Sequence, residues 1–582
     1  MATHTRADAD LPPYDPQRLL AAPFPERVRL VCRTWASQVN PNPPIVLVMY
    51  WAKYLLLYAG GWALFVSFSA EYPGFLSPGA WAFTPDAFQK AIVWSIFYEL
   101  AGFGCGSGPM NARFSPPIGG FLHFLRPGTT KLPLFPGMPV LGGIRRSWLD
   151  VALYAANQLC LLRALVAPEV TPALLLPSLV LIPLLGVTDK TLFLAARAEH
   201  YYVALVCLTT AGGEAAWLSA CQAVWVSIWF WAATSKLNHH FPSVIQVMMN
   251  NGPFFPKWLK KRLFAGYPDD LRPSRLAAAM ARMGTLTEYA IPLVLVTSHS
   301  EILTAAMLVV MCGFHGFIAL NNPSGMPIEW NILMIHGGIF LFGFHPEASA
   351  LAIGHTPWLA AFLAFALVAV PLYGNLVPSR VSFLLSMRYY AGNWAYNIWL
   401  IRRGSTHKLA RLTKAAGTMR EQLEKLLPDA TAVETALALS LAHRFMHLEG
   451  RPLLEALPRA VDDIDAYEWM DGEVLGGMVL GWNFGDGHLN GMQLLRAVQD
   501  QCGFEPGELR VVVVESQPLF GRSMRWRVAD AADGWIDGGD TEIGPMRALQ
   551  PWPVGAHADA LVGGRAAAAR PFAAAPHAAD RG

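Results

Sequence analysis

A lysine, Lys236, stands at the end of the apolar segment Ala215 to Leu237, AAWLSACQAVWVSIWFWAATSKL, whose length suits a membrane crossing. Three further ionisable groups, Arg197, Glu199 and His200, sit within the preceding apolar segment, TLFLAARAEHYYVALVCLTTA. Ionisable side chains at membrane depth are costly unless they face the bundle interior or a wet cavity, so they commonly mark sites. A lysine placed there can act as a general base or a nucleophile when its neutral form is reached. The plainer alternatives stand beside these roles. A lysine closing a span snorkels to the headgroups and complements the helix C-terminal dipole. Arg197 and Glu199 as a pair would hold helices together, with His200 a satisfied core histidine.

Other polar positions lie in or at the ends of apolar spans: Glu99, Glu288, His315, Glu329, Asn331 and His336. A polar cavity would recruit some of them, whereas each one singly serves as interhelical glue. Glu288, His315, Asn331 and His336 are the ones expected to support the site or bind its substrate, together with Arg197 and Glu199. His239 and His240 follow Lys236 and are expected in interfacial water. His443 and His447, in HRFMH, share one helical face, but a lone pair of histidines falls short of a ligand set, so no metal site is expected. The seven cysteines show no CxxC or regular spacing, which argues against a disulfide framework or zinc site. There is no GxxxxGK[ST] loop, and GFGCGSGPMN follows a span instead of opening a βαβ unit. GWNFGDGH reads as a turn between strand and helix, with Asp486 and His488 able to bind a ligand.

These residues need a membrane bundle to position them. Of the 582 residues, 53% are hydrophobic and only 15% charged, and the mean hydropathy is +0.32. Such a chain is a polytopic membrane protein, and a net charge of +2 gives no general basic balance for nucleic acid. The first forty residues are polar, Pro-rich and then amphipathic, so insertion is expected to use the first span without a cleaved leader. About ten spans are expected, at 43–69, 85–105, 149–166, 171–188, 191–211, 215–237, 285–299, 301–320, 328–344 and 356–377. Basic residues then test the count: Arg27, Arg29 and Arg33, the loop holding Arg113, Arg126, Lys131, Arg145 and Arg146, then Lys190, the Lys257 to Arg262 cluster, and Arg380 with Arg388. All fall on one face if both termini are cytoplasmic, giving a multi-pass protein of the inner membrane. The segment NARFSPPIGGFLHFLRPGTTKLPLFPGMPV, and the helix expected after Lys236 in HHFPSVIQVMMNNGPFFPKWLKKRLF, should lie at the interface.

After Val377 the membrane pattern stops, and a cytoplasmic α+β domain is expected over 378–554, with 1–42 a separate N-terminal segment and 555–582 a disordered tail. THKLARLTKAAGTMREQLEKLL and LALSLAHRFMHLEGRPLLEAL read as helices. GEVLGGMVLGW and GELRVVVVESQP read as strands around the helix GMQLLRAVQDQCGF, and MRWRVADAADGWIDGG as a hairpin. The fold class is thus an all-α polytopic bundle followed by a small α+β domain.

Two resemblances attach to these residues. DKTLFLAARAEHYY, WFWAATSKLNHHF and MCGFHGFIALNNPSGMPIEWN resemble segments of the vitamin K-dependent gamma-carboxylase family, whose bacterial relatives are horizontally transferred transmembrane domain proteins. The resemblance covers about 185–345 and implies Lys236 as the base that deprotonates a hydroquinone-like substrate, with His200 supporting the anion. The family's large luminal β-rich domain is missing, so carboxylation of protein glutamates and vitamin K itself are not implied. Over nearly the whole chain, FGCGSGPMNARFSPP, WAATSKLNHHFP, YPDDLRP and MRYYAGNW resemble a bacterial multi-pass family catalogued as a domain of unknown function, number thirty-five fifty-six.

Two functions remain open on the sequence. One is a membrane enzyme, an oxidoreductase or carboxylase-like lyase, acting on a lipid or quinone-like substrate, with Lys236 and His200 catalytic and a quinone or hydroquinone as cofactor. The other is a non-catalytic lipid or small-molecule transporter, or an assembly protein, whose partners are the bilayer and its lipids.

Overall fold

The computed structural model describes residues 15–37, 44–105, 119–252, 254–321, 329–482 and 491–562, the side chains of 44–47 and 355 excepted. Among these, four helices are long and apolar enough to cross a membrane: Trp148–Val166, Glu214–Ser235, Glu301–Leu320 and Pro357–Leu376. The 22 residues of Glu214–Ser235 span about 33 Å, enough for a hydrocarbon core of about 30 Å. That helix is the hub: 72% of its apolar window is buried, against 11% for Glu301–Leu320. On the peripheral helix Ile302 and Val309 stand exposed, as lipid-facing side chains should.

The expectation of about ten spans is not supported, and the backbone shows why. The Pro172–Thr188 and Tyr201–Thr210 helices are apolar but short. Expected span 191–211 is not one helix: Lys190–Ala195 ends, five residues turn, and Tyr201–Thr210 restarts. Arg197 sits in that turn with φ 50°, a left-handed conformation that non-glycine residues adopt only where the surroundings hold them. Residues 44–66 are interrupted by a π segment, Lys53–Ala59, and Glu329–Gly338 continues into another, Ile339–Phe344. Apolar runs visible in sequence are therefore partly broken helices.

The basic residues also divide. Lys131 pairs with Asp150 at 2.7 Å and Arg146 with Asp189 at 2.6 Å, all four buried. They tie the loop of expected interfacial character to the Trp148–Val166 and Lys190–Ala195 helices instead of serving as free surface charge. Leu125, Phe135, Val140 and Trp148 of this region remain exposed. The Phe241–Asn251 helix, expected to lie on the membrane surface, is buried on nearly every side. Its Val244 and Met248 pack on Ala277 and Ala281, while its Val247 joins the core of the sheet layer.

That layer is a five-stranded antiparallel sheet in the order β4-β3-β5-β6-β7. Its strands are β3 Tyr396–Arg402, β4 Tyr467–Asp471, β5 Leu509–Val514, β6 Ser523–Asp530 and β7 Gly534–Glu542; β1 Phe264–Gly266 and β2 Asp270–Pro273 form a separate hairpin. Alternation along β3 sets its two faces. Trp399 and Ile401 belong to the core that runs into the bundle. Ile398 and Leu400 face a second core, which Phe24, Val28, Val31 and Trp35 of the N-terminal helix Phe24–Ala36 complete. The Phe24–Ala36 helix thus shares the core of this layer.

Several local expectations change. GEVLGGMVLGW is not a strand: the strand is the preceding Tyr467–Asp471, and Gly472–Leu480 is a helix whose N-cap Asp471 accepts from Glu473 N. A Cβ at Gly472 would meet the Asn397 side chain, so only glycine fits that corner. THKLARLTKAAGTMREQLEKLL breaks into a 3-10 turn, Thr406–Arg411, and a short helix, Met419–Leu423, begun by a Thr418–Glu421 capping box. LALSLAHRFMHLEGRPLLEAL is likewise divided, among Ala430–Leu439, Leu441–Phe445 and Leu453–Ala460. Ala556–Val562 is helical within the stretch expected as tail. The GDG turn with Asp486 and His488, most of the FGCGSGPMNARFSPP segment, and the small-residue turn after Asn321 lie outside the described residues.

Candidate functional site

The helix break at 196–200 turns three ionisable side chains into the bundle. Glu199 Oε1 is the focus: Arg197 Nε donates to it at 2.7 Å, Tyr389 Oη at 3.1 Å, and His200 Nδ1 lies 3.3 Å away. A carboxylate only accepts, so the imidazole proton belongs on Nδ1 and the Nε2 lone pair is left available. His200 is fully buried, and its Nε2 has no hydrogen-bond partner among the described residues. A carboxylate that fixes the tautomer, with the other ring nitrogen open, is the arrangement of a general base.

Lys236 lies elsewhere. It is the C-cap of Glu214–Ser235, only 9% exposed, and its ammonium bonds to the buried carboxylate of Glu288 on the Arg275–Thr297 helix. The side chain therefore points into the protein, which sets aside the snorkelling alternative, but no contact joins it to His200 among the described residues. Its ammonium is occupied by the Glu288 carboxylate. Lys236 also sits 5.9 Å from the Phe314 ring centroid.

His315 connects the two ends. Trp229 Nε1 donates to its Nε2 at 2.9 Å, and its Nδ1 lies 2.9 Å from Asn331 Oδ1, so both ring nitrogens are engaged. Its ring meets Trp330 at 6.0 Å, and Trp330 stacks on Tyr389 at 5.0 Å. A buried belt thus runs from Lys236 and Glu288 through His315, Asn331 and Trp330 to Tyr389, Glu199, His200 and Arg197. Of the expected site residues, His336 is the one left out. It lies 2.7 Å from Ala82 O and packs on Phe83 and Trp62, a core histidine. Sequence reasoning missed Tyr389 and Trp330. Tyr389 stands in MRYYAGNW, beyond the apolar pattern.

A second polar centre occupies the sheet layer. Arg444 donates to Asp471 at 2.6 and 2.9 Å, to Glu473 at 2.7 Å and to Glu449 at 3.2 Å. His447 has Nδ1 2.7 Å from His443 O and Nε2 3.3 Å from Tyr390 Oη, so both ring nitrogens are engaged. Asp471 and His443 also line a cavity of about 430 Å³ walled by Phe24, Trp35, Leu400 and Trp469, which shares no residue with the belt.

Three carboxylates around one guanidinium leave one of them undercompensated. Burial pushes the Glu449 carboxyl up to about 8, with Arg444 pulling down and Glu473 pushing up. Stability from its protonated form is full below the ordinary value of 4.5 and is lost as pH rises through about 8. Burial holds His443 and His447 below the ordinary imidazole range, so above about pH 7 they are neutral folded or unfolded and add little slope. The unfolding temperature of the full-length protein in detergent should therefore fall between about pH 7 and about pH 8, with Glu449 adding little further slope above that, and Glu449→Gln should flatten that fall. An unchanged slope in the variant would remove Glu449 as its source.

A family profile described as a transmembrane protein of unknown function (DUF3556) matches residues 6–561. The chain belongs to that family. No curated protein and no solved structure matches it. The DUF3556 match spans the bundle, the sheet layer and the N-terminal helix together, in keeping with their shared cores. The resemblance of 185–345 to the gamma-carboxylase family gains no support from these comparisons.

Proposed function

We propose that this DUF3556 protein is a membrane-embedded enzyme acting on a lipid or quinone-like substrate, with His200 as its acid–base group. The observation that carries this reading is the buried imidazole at a helix break, its Nδ1 facing Glu199 and its Nε2 open. With a hydroquinone-like substrate, the hydroxyl O–H bond breaks, an Nε2–H bond forms, and Glu199 stabilises the imidazolium. The base role passes from Lys236 to His200. Lys236, held by Glu288, contributes fixed charge at the other end of the belt. The substrate class follows from the setting, an apolar membrane bundle.

Both termini are proposed on the cytoplasmic face of an inner membrane. The N-terminal helix and the sheet share one core, so they lie on one side, and Arg126, Arg145, Lys257 and Arg262 are exposed in the manner of the positive-inside rule. A second reading, a non-catalytic lipid carrier, draws on the same broken helix, since discontinuous helices also build transport sites. Lipid and quinone profiles of cells lacking the protein, complemented with the parent, Lys236→Arg or His200→Gln, separate them. Restoration by the parent and Lys236→Arg but not by His200→Gln is expected; full restoration by His200→Gln would exclude the acid–base role.

A further inference from the structure

A third group of buried polar residues lies at another place in the bundle, where Glu99 closes the Pro85–Leu100 helix and Glu329 opens the Glu329–Gly338 helix. One carboxylate oxygen from each and the Cys105 Sγ all lie within 4.8 Å of one another. Both glutamates are fully buried and Cys105 is 7% exposed. The chain between Glu99 and Cys105 is wound tightly onto the site. Cys105 N donates to Glu99 Oε2 at 3.3 Å, and a Cβ at Gly104 would come within 2.6 Å of Glu99 Cδ.

Among the described residues, both oxygens of Glu329 and Oε1 of Glu99 have no hydrogen-bond donor, and the two carboxyl groups face each other. Neighbouring Lys53 directs its ammonium to Gly104 O at 3.2 Å and lies over the rings of Tyr50 and Tyr54. Orphaned carboxylate oxygens buried face to face are costly unless a proton or a cation sits between them.

We propose that Glu99, Cys105 and Glu329 bind a divalent transition-metal ion of the zinc or ferrous class inside the bundle. The donor set favours that class: a thiolate with two carboxylates suits borderline ions, whereas magnesium and calcium take oxygen alone. The charges also balance, since two carboxylates and a thiolate are offset by the dication together with the Lys53 ammonium. Three protein ligands leave a fourth position open, as sites that bind water or substrate do. No sequence spacing announces the site, because Glu329 comes from a distant helix. The inference is independent of the role given to His200.

The test uses full-length protein in detergent, stripped with a chelator and reloaded with Zn²⁺ or Co²⁺ alone. The parent should retain about one Zn²⁺ per chain after desalting, and its Co²⁺ form should show thiolate-to-metal charge-transfer absorption. Glu329→Gln and Glu99→Gln should weaken Zn²⁺ binding by at least about tenfold, and Cys105→Ser should abolish the charge-transfer band. A parent that retains no Zn²⁺ or Co²⁺ overturns the proposal, whatever the variants do. Co²⁺ bound without the thiolate band, or Zn²⁺ retained equally by a folded Glu99→Gln, Glu329→Gln double variant, overturns it as well.

Discussion

Arg444→Ala is expected to destabilise the protein by about 3–5 kcal/mol, the range for removing one partner from a buried charge network. The guanidinium is fully buried and spans three carboxylates, and its ring contact with Tyr396 lies at 4.5 Å. Deleting it leaves Asp471, Glu473 and Glu449 facing one another without a cation. The damage spreads because Asp471 also caps the Gly472–Leu480 helix and ends β4, which pairs with β3 at the sheet edge. Arg444→Lys should recover only part of the loss, since one ammonium cannot reproduce the forked bonds to Asp471. Chemical denaturation of the detergent-solubilised protein reads the effect, and a loss below about 1 kcal/mol, typical of exposed pairs, would contradict the description of this centre.

Lys236→Ala carries the second large expectation, also about 3–5 kcal/mol, because it strands the Glu288 carboxylate in the bundle. Lys236→Met combined with Glu288→Leu should return most of that stability, as replacing a whole buried pair by apolar groups often does. The double-mutant cycle isolates the coupling from the packing of each side chain. A lysine reaching for the headgroups would behave differently: its removal would cost little, and the Glu288→Leu change would show no dependence on it.

Much of the belt was legible in sequence because a charge inside an apolar run is conspicuous. Lys236, Arg197, Glu199, His200, Glu288, His315 and Asn331 all belong to it. Their pairing was not legible. Lys236 and Glu288 are 52 residues apart, and periodicity ties no residue of one helix to a partner on another. Chain length between residues also misled: the 191–211 segment looks continuous, but the left-handed backbone at Arg197 breaks it, and that break is what turns His200 inward. GEVLGGMVLGW is a helix although its valines suit either state, because Asp471 before Gly472 supplies the N-cap. Glu99 and Glu329, read singly as helix glue, become a candidate site only when the bundle sets them face to face.

Native mass spectrometry of the purified full-length protein asks directly whether the open Nε2 of His200 meets a substrate. The parent and His200→Gln should both carry a bound lipid or quinone-like molecule, with the variant enriched in a different, unreacted species. The same species in the same proportions in both proteins, or no bound molecule in either, would contradict an acid–base site at His200.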